Sequence, residues 1–228
     1  MTVEAFFSAA DTYRGTEQNG TRYTAVGGCL GPSRSKSIPI RLVSTPEELE
    51  SLYQFRYQVY VEEMKRAQVY ANHLTRRIED PLDRGGYNFA AFQGDEVVGA
   101  VRVNFPRVSS IAYYESFLDM RWADRFHPSA TSICTRLMVA PRLRRTSLAV
   151  RLAQVSYRFG LFNKIRYNFV DCDDCLTRFF ARLGYIFHQR AEHPEYGIGN
   201  VMRLDLLDRA RLAQTRSPFL AILDEAVG

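Results

Sequence analysis

The residues best equipped for chemistry in this 228-residue chain are charged side chains set among apolar neighbours. Arg56 falls on the apolar stripe Leu49, Leu52, Tyr53, Val59 and Tyr60. Arg102 lies inside Val98-Gly99-Ala100-Val101-Arg102-Val103, and Arg136 inside the alternating run 132–139. A guanidinium at a core-facing position is costly unless it meets a carboxylate or faces a cavity. Asp80 and Asp83, three residues apart, can supply the carboxylates. Two readings stay open. The five residues form an ion-pair network that locks a helix and a loop onto a sheet, or the arginine forks bind the carboxylate of a ligand.

A second constellation is basic. Arg142, Arg144, Arg145 and Arg151 lie within ten residues, where a strand ends at Pro141 and a helix opens. Backbone N–H groups at a helix N-terminus attract anions, and neighbouring arginines strengthen the pull on phosphate or on an acidic surface. A third is Cys172-x2-Cys175-x12-His188-x4-His193, which has zinc-finger spacing. Its chemistry would be tetrahedral zinc binding. Leu176, Phe179, Phe180 and Leu183 instead predict a helix that Gly184 ends before either histidine, whereas a finger carries both histidines on one helix. No metal site is expected.

The elements that must position these residues follow from local signals. Residues 1–37 hold six glycines or prolines among serines and read as a flexible extension, so the domain proper spans 38–228. A strand is expected over 38–43. Thr45-Pro46-Glu47-Glu48 opens a helix with a capping box. Two strands, 87–92 and 96–105, flank the turn Gln93-Gly94-Asp95. A helix is expected over 113–126, a strand over 132–139, and a helix over 146–162. The last has the core stripe Leu148, Leu152, Val155, Phe159 and Phe162, with Arg151 and Arg158 on its polar face. Strands at 165–170, 185–189 and 200–206 complete an α/β (α+β) fold with a mixed sheet flanked by helices.

Composition sets outer limits. Hydrophobic residues make up 46% and charged residues 24%, an ordinary globular balance. No apolar run approaches the roughly 18 residues of a spanning helix, and the start of the chain does not read as a secretion signal. A cytoplasmic location is expected, with the four cysteines as thiols. The net charge of +5 suits phosphates or an acidic partner. No aromatic-basic stacking motif points to nucleic acid.

Val139-Ala140-Pro141, followed by the loop and helix, resembles the donor-binding signature of the GNAT acyltransferase superfamily. Phe179-Phe180-Ala181-Arg182-Leu183-Gly184-Tyr185 resembles its helix-to-strand motif, so the likeness covers roughly 130–190. It implies a mixed, mostly antiparallel GNAT-like sheet. It also implies a pantetheine donor held by Val139, Arg142, Arg144, Arg145, Thr146, Ser147, Arg151 and Arg158. The superfamily's loop glycines are replaced here by Arg145, Thr146, Ser147 and Leu148, and Phe180 stands where a tyrosine general acid is usual.

The front half is similar to acyl-homoserine-lactone synthases and long-chain N-acyl amino acid synthases. The matching segments are Tyr53 to Tyr60, Asp80-Pro81-Leu82-Asp83, the Arg102 strand and Cys134-Thr135-Arg136-Leu137. Lactone synthases carry a glutamate where Ile133 stands. His193-Pro194-Glu195-Tyr196-Gly197 looks more like the amino acid synthases. The resemblance implies transfer of a long-chain fatty acyl group from acyl carrier protein to the amine of an amino acid. The phosphopantetheine-linked thioester is a substrate, no cofactor is held permanently, and the lipid product allows contact with a membrane surface. Backbone N–H groups of Met138 to Ala140 would face the oxyanion, and Glu115 is a candidate base. The alternatives are a coenzyme A-dependent GNAT acetyltransferase and a basic, zinc-containing binding module.

Overall fold

Runs of valine, alanine and aromatic residues pair into one large sheet, as β-branched and aromatic side chains favour. In the computed structural model, residues 38–193 and 195–227 are described. The extension expected over 1–37, together with Pro194 and Gly228, lies outside them. The strands are β1 (Ile40–Leu42), a small hairpin of β2 (Ala71–Asn72) and β3 (Arg77–Ile78), β4 (Gly86–Gln93), β5 (Glu96–Asn104), β6 (Thr131–Val139), β7 (Tyr167–Cys172), β8 (Ile186–His193) and β9 (Gly197–Asp205). Seven of them form the sheet in the order β1-β4-β5-β6-β7-β9-β8. Among the described residues only β6 and β7 pair in parallel. This is the GNAT-like, mostly antiparallel arrangement.

Helix α1 (Pro46–Tyr57) starts where its capping box dictates. The Thr45 hydroxyl accepts from the Glu48 N–H, and the Glu48 carboxylate accepts from the Thr45 N–H. A wider π turn, Gln58–Glu63, continues it. Helix α3 (Leu148–Phe162) covers one face of the sheet. It lies close because β5 presents Gly99, where a Cβ would stand 3.1 Å from Leu152. Phe159 packs there with Phe89, Phe105 and Tyr87 at ring separations of 4.9–5.5 Å. Helix α4 (Asp174–Leu183) ends at Gly184, whose φ of 110° lies in the left-handed region that glycine favours. Two short helices, α5 (Arg209–Gln214) and α6 (Leu220–Val227), close the chain.

The single helix expected over 113–126 does not form. A short helix, α2 (Tyr114–Phe117), is followed by a 3₁₀ stretch, Met120–Phe126, broken by left-handed Asp119 and Asp124. Phe117, Met120, Ala123 and Phe126 recur every three residues, which is the 3₁₀ period rather than 3.6. All four pack on one cluster with Ile133 and Phe169. The helix expected from 146 opens instead at Leu148. The Thr146 hydroxyl donates to the Leu143 carbonyl (2.6 Å) and accepts the Leu148 N–H (3.2 Å), so those residues form a closed turn.

One feature of the topology makes the site. β6 and β7 pair only through Thr131, Ser132 and Ile133, opposite Tyr167, Asn168 and Phe169. Beyond that, β6 follows β5 to Val139 and β7 follows β9 to Cys172. The two strands part and leave an opening between Cys134–Val139 and Val170–Cys172.

Candidate functional site

The charged layer sits on the sheet face opposite α3. Asp80-Pro81-Leu82-Asp83 forms a 3₁₀ turn that caps itself. Asp80 Oδ1 accepts the Leu82 N–H (3.0 Å), and Asp83 Oδ2 accepts the Asp80 N–H (2.9 Å). Gly86 lets this turn lie against β5, since a Cβ there would stand 2.7 Å from the Leu82 carbonyl and 2.9 Å from Arg102 Cδ. Arg56 reaches in from α1 and donates to both Asp83 oxygens (2.7 and 2.9 Å) and to Asn88 Oδ1 (2.8 Å). Arg102 donates to Asp80 (2.5 Å), to Asp83 (3.0 Å) and to the Thr135 hydroxyl (3.1 Å). Arg136 donates to the other Asp80 oxygen (2.8 Å) and to Gln68 Oε1 (2.9 Å).

Of the two readings open for these arginines, the structure therefore turns Arg56 and Arg102 onto protein carboxylates, at 1% exposure each. Burial pushes the Asp80 and Asp83 carboxyls up. The guanidiniums beside them outweigh it and hold both below the usual carboxylate range. Three guanidiniums against two carboxylates leave one positive charge in excess. Arg136, the most exposed of the three, sits at the edge of the opening.

Arg136 has a left-handed backbone, with φ of 58°. The register explains it: Thr135 pairs with Arg102 and Met138 with Ala100, so Arg136 and Leu137 together oppose Val101. This is a β-bulge, which re-aims a side chain and commonly marks a functional site. It carries the guanidinium over the Tyr60 ring, 4.8 Å from its centroid. Tyr196 donates to the same Gln68 oxygen (2.9 Å) and stacks on His193 at 4.4 Å. His193 Nδ1 accepts the Glu195 N–H (3.0 Å), so a neutral ring carries its proton on Nε2. That nitrogen meets the hydroxyls of Tyr113 (2.9 Å) and Tyr114 (3.4 Å). Burial pushes the His193 pKa down, which keeps the ring neutral.

The opposite wall holds a residue that the sequence reasoning missed. Asp171 lies on β7 two residues beyond Phe169, hence on the same face and past the point where the strands part. Burial pushes its pKa up to about 6, and a hydrogen bond from its own backbone N–H, together with Arg136, only partly offsets this. The signal was an acid inside the strand run Phe169-Val170-Asp171-Cys172, ahead of the exposed pair Asp173-Asp174. The strand expected over 165–170 stopped one residue short of it.

At the donor turn, the Ala140 N–H donates to the Val98 carbonyl (2.9 Å). Met138, opposite Ala100, points the same way by the alternation of an antiparallel ladder. The amides expected to face an oxyanion at Met138 and Ala140 are thus turned towards β5, and Val139 directs its N–H to the open edge. The Val139 carbonyl accepts from Arg144 Nε (3.1 Å).

The basic loop is less bare than its composition suggests. Arg142 pairs with Glu96 (3.0 Å), Arg144 with Glu63, and Arg151 donates to the Ile38 carbonyl (2.8 Å). Arg145, Thr146 and Ser147 are exposed. A groove of about 350 Å³ beside the turn is lined by Glu62, Glu63, Glu96, Ala140 and Arg142. Arg158 does not join this face. It sits ten residues along α3 from Leu148, roughly 15 Å, and pairs with Glu225 of α6 (3.2 Å). Glu115 turns to His127 (3.3 Å) and Arg121 (3.7 Å) rather than to the opening.

Cys172 lies on β7, Cys175 on α4, and both His188 and His193 on β8. Cys172 packs its sulfur against that of Met202 (3.8 Å). Among the described residues no group of three or more His, Cys, Asp or Glu is placed to hold a metal ion. Nor is any helix among them long and apolar enough to cross a membrane.

A family model described as N-acyl amino acid synthase FeeM matches residues 51–200. No curated protein sequence matches the chain. Among solved structures, FeeM, an N-acyl amino acid synthase from uncultured soil microbes, superposes with a TM-score of 0.61 at 13% identity. That match covers 81% of this chain and 97% of that one. A CoA-dependent acyl-homoserine lactone synthase, MesI, gives 0.61 at 21% identity over 78% of this chain and 93% of its own. The acyl-homoserine lactone synthase LasI gives 0.60 at 14% over 77% and 93%. At these identities the likeness to the solved structures is one of fold.

Proposed function

The chain belongs to the N-acyl amino acid synthase family represented by FeeM and is an acyltransferase, and from that premise we propose that it moves a long-chain acyl group from acyl carrier protein to the amine of an amino acid. The observation that carries the reading is the opening between β6 and β7, with the Val139 N–H on one wall and the charge-excess Arg136 at its edge. The catalytic unit is residues 38–228.

The acyl thioester lies along the free edge of β6, with its carbonyl oxygen on the Val139 N–H. A fixed amide aimed at the place where negative charge develops stabilises the tetrahedral intermediate. The acceptor's carboxylate is drawn to Arg136. The acceptor amine attacks the thioester carbon, the C–N bond forms, the C–S bond breaks, and the pantetheine thiolate leaves. The thioester is consumed as a substrate, so no resident cofactor is required, and a carrier-protein donor implies a cytoplasmic reaction.

Two features favour a carrier protein over coenzyme A. The donor loop lacks the glycines that allow close backbone approach to a pyrophosphate, while phosphopantetheine carries a single phosphate. Arg142, Arg144 and Arg145 are exposed, and surface ion pairs such as those with Glu96 and Glu63 are worth only about 0–1 kcal/mol. An acidic partner can displace them. A competition assay tests the donor. Purified protein receives equal concentrations of acyl carrier protein and coenzyme A thioesters bearing distinguishable chains, with a mixture of amino acids. The N-acyl products should carry mainly the carrier protein's chain; products carrying mainly the coenzyme A chain would reverse the donor assignment.

A further inference from the structure

We propose that Asp171 is the catalytic base that takes the proton from the acceptor's ammonium group, on the wall of the opening that faces Val139 and Arg136. The assignment rests on the acyltransfer reading and deepens it. At neutral pH an amino acid presents an ammonium group, which is not a nucleophile until it loses a proton.

Four other titratable groups, Asp80, Asp83, Glu115 and His193, are committed elsewhere. Asp80 and Asp83 are locked to three arginines, which hold them ionised and too weakly basic for the task. The Glu115 carboxylate is turned to His127 and Arg121. His193 has its Nδ1 lone pair on the Glu195 N–H and its Nε2 proton on the tyrosine hydroxyls. Asp171 differs from all of these. Among the described residues its carboxylate makes no ion pair and no hydrogen bond to another side chain, although it is half-buried on a strand edge that has lost its neighbour. The charged and titratable groups around it are Tyr113 and Tyr114 at the start of α2, Arg136 from β6, and Cys172 and Asp173 beside it in the chain. Glu195 acts on Tyr113 from the β8–β9 turn. Burial outweighs the hydrogen bond from its own backbone N–H and the one positive neighbour and places the carboxyl near pKa 6, ionised at neutral pH yet far more basic than a surface aspartate.

Arg136 and Asp171 also present opposite charges on the two walls, which matches the carboxylate and ammonium of one amino acid. The ammonium gives one proton to the Asp171 carboxylate and becomes an amine. The amine attacks the thioester carbon. The new nitrogen loses a second proton as the C–S bond breaks, and the departing thiolate ends as a thiol. Asp171 then returns its proton to solvent. The sum is one amide, one thiol and one released proton, with no redox change.

The test compares wild type with Asp171→Asn across pH 5–9, following N-acyl product from an acyl thioester and an amino acid mixture. Wild type should show a rate that rises through a pKa near 6. Asp171→Asn should lose that limb, fall by about 10²–10⁴-fold in kcat, and keep its KM for the thioester and its Tm. With acetohydrazide, whose nucleophilic nitrogen is already neutral, the variant should lose far less. Should Asp171→Asn fail to fold, wild type alone decides: the limb near 6 must appear with amino acids and be absent with acetohydrazide. An Asp171→Asn enzyme of wild-type rate and pH profile overturns this assignment only. A wild-type protein that yields no N-acyl product from any thioester overturns the acyltransfer reading and this assignment with it.

Discussion

Arg56 grips Asp83 through both terminal nitrogens, at 2.7 and 2.9 Å, with each side chain at most 2% exposed. The pair ties the first helix to the turn that carries Asp80, and Asp80 in turn anchors Arg136 at the edge of the opening. Removing one partner leaves a buried charge uncompensated, which costs about 3–5 kcal/mol. Asp83→Asn should therefore lower Tm by something on the order of 10 °C, measured by differential scanning calorimetry. A drop of a degree or less would show that the network contributes little to stability.

The same network predicts sensitivity to acid. Asp83 is held well below the usual carboxylate range in the folded protein, against roughly 3.9 when unfolded. A depressed folded pKa contributes stability that is fully present above the unfolded value and is lost progressively as pH falls from there towards the folded value. Chemical denaturation at pH 7 and at pH 3.5 should show a clear loss at the lower pH. That loss should be markedly smaller in Asp83→Asn measured against its own pH 7 value.

The backbone direction at the donor turn gives a paired substitution. The Val139 N–H is directed to the open edge, whereas the Ala140 N–H is bonded to Val98 at 2.9 Å. Val139→Pro removes the proposed oxyanion donor without breaking a ladder bond, a placement proline tolerates. Its kcat should fall by about 10²–10³-fold with Tm little changed. Ala140→Pro should instead lower Tm. Equal kinetic losses in two equally stable variants would contradict the assignment of Val139.

Arg145 is exposed on the loop before α3, and Arg144 pairs with Glu63 on the surface while its Nε donates to the Val139 carbonyl. The double variant Arg144→Glu, Arg145→Glu should raise the apparent KM for acyl carrier protein about tenfold or more at low salt and leave the KM for the amino acid unchanged. Wild-type affinity should weaken with ionic strength, since surface charges are screened beyond roughly 10 Å at 0.1 M salt. An unchanged KM in the variant would remove this loop from the docking face.

What could be read from the sequence was local or compulsory. Thr45 to Glu48 announces its capping box within four residues. Three arginines among apolar residues require a carboxylate or a cavity, and all three meet Asp80 or Asp83. The misreadings have physical causes of other kinds. The region 113–126 follows a three-residue period that a helix reading absorbs without notice. The Arg136 bulge depends on its register against β5, and the loop arginines find Glu63 and Glu96 across long stretches of chain. Asp171 shows in the sequence only as an acid in an apolar run, and its place beside the opening follows from the parting of β6 and β7.

Every role assigned to these residues depends on transfer of an acyl group from a carrier-bound thioester to an amino acid. It is tested most directly by mixing purified protein with long-chain acyl carrier protein and amino acids, then following two quantities by mass spectrometry. One is the free thiol form of the carrier protein, and the other is N-acyl amino acid. Both should rise together, one to one, and only when enzyme is present. Carrier thiol released without a matching N-acyl product, or no enzyme-dependent product at all, would contradict it.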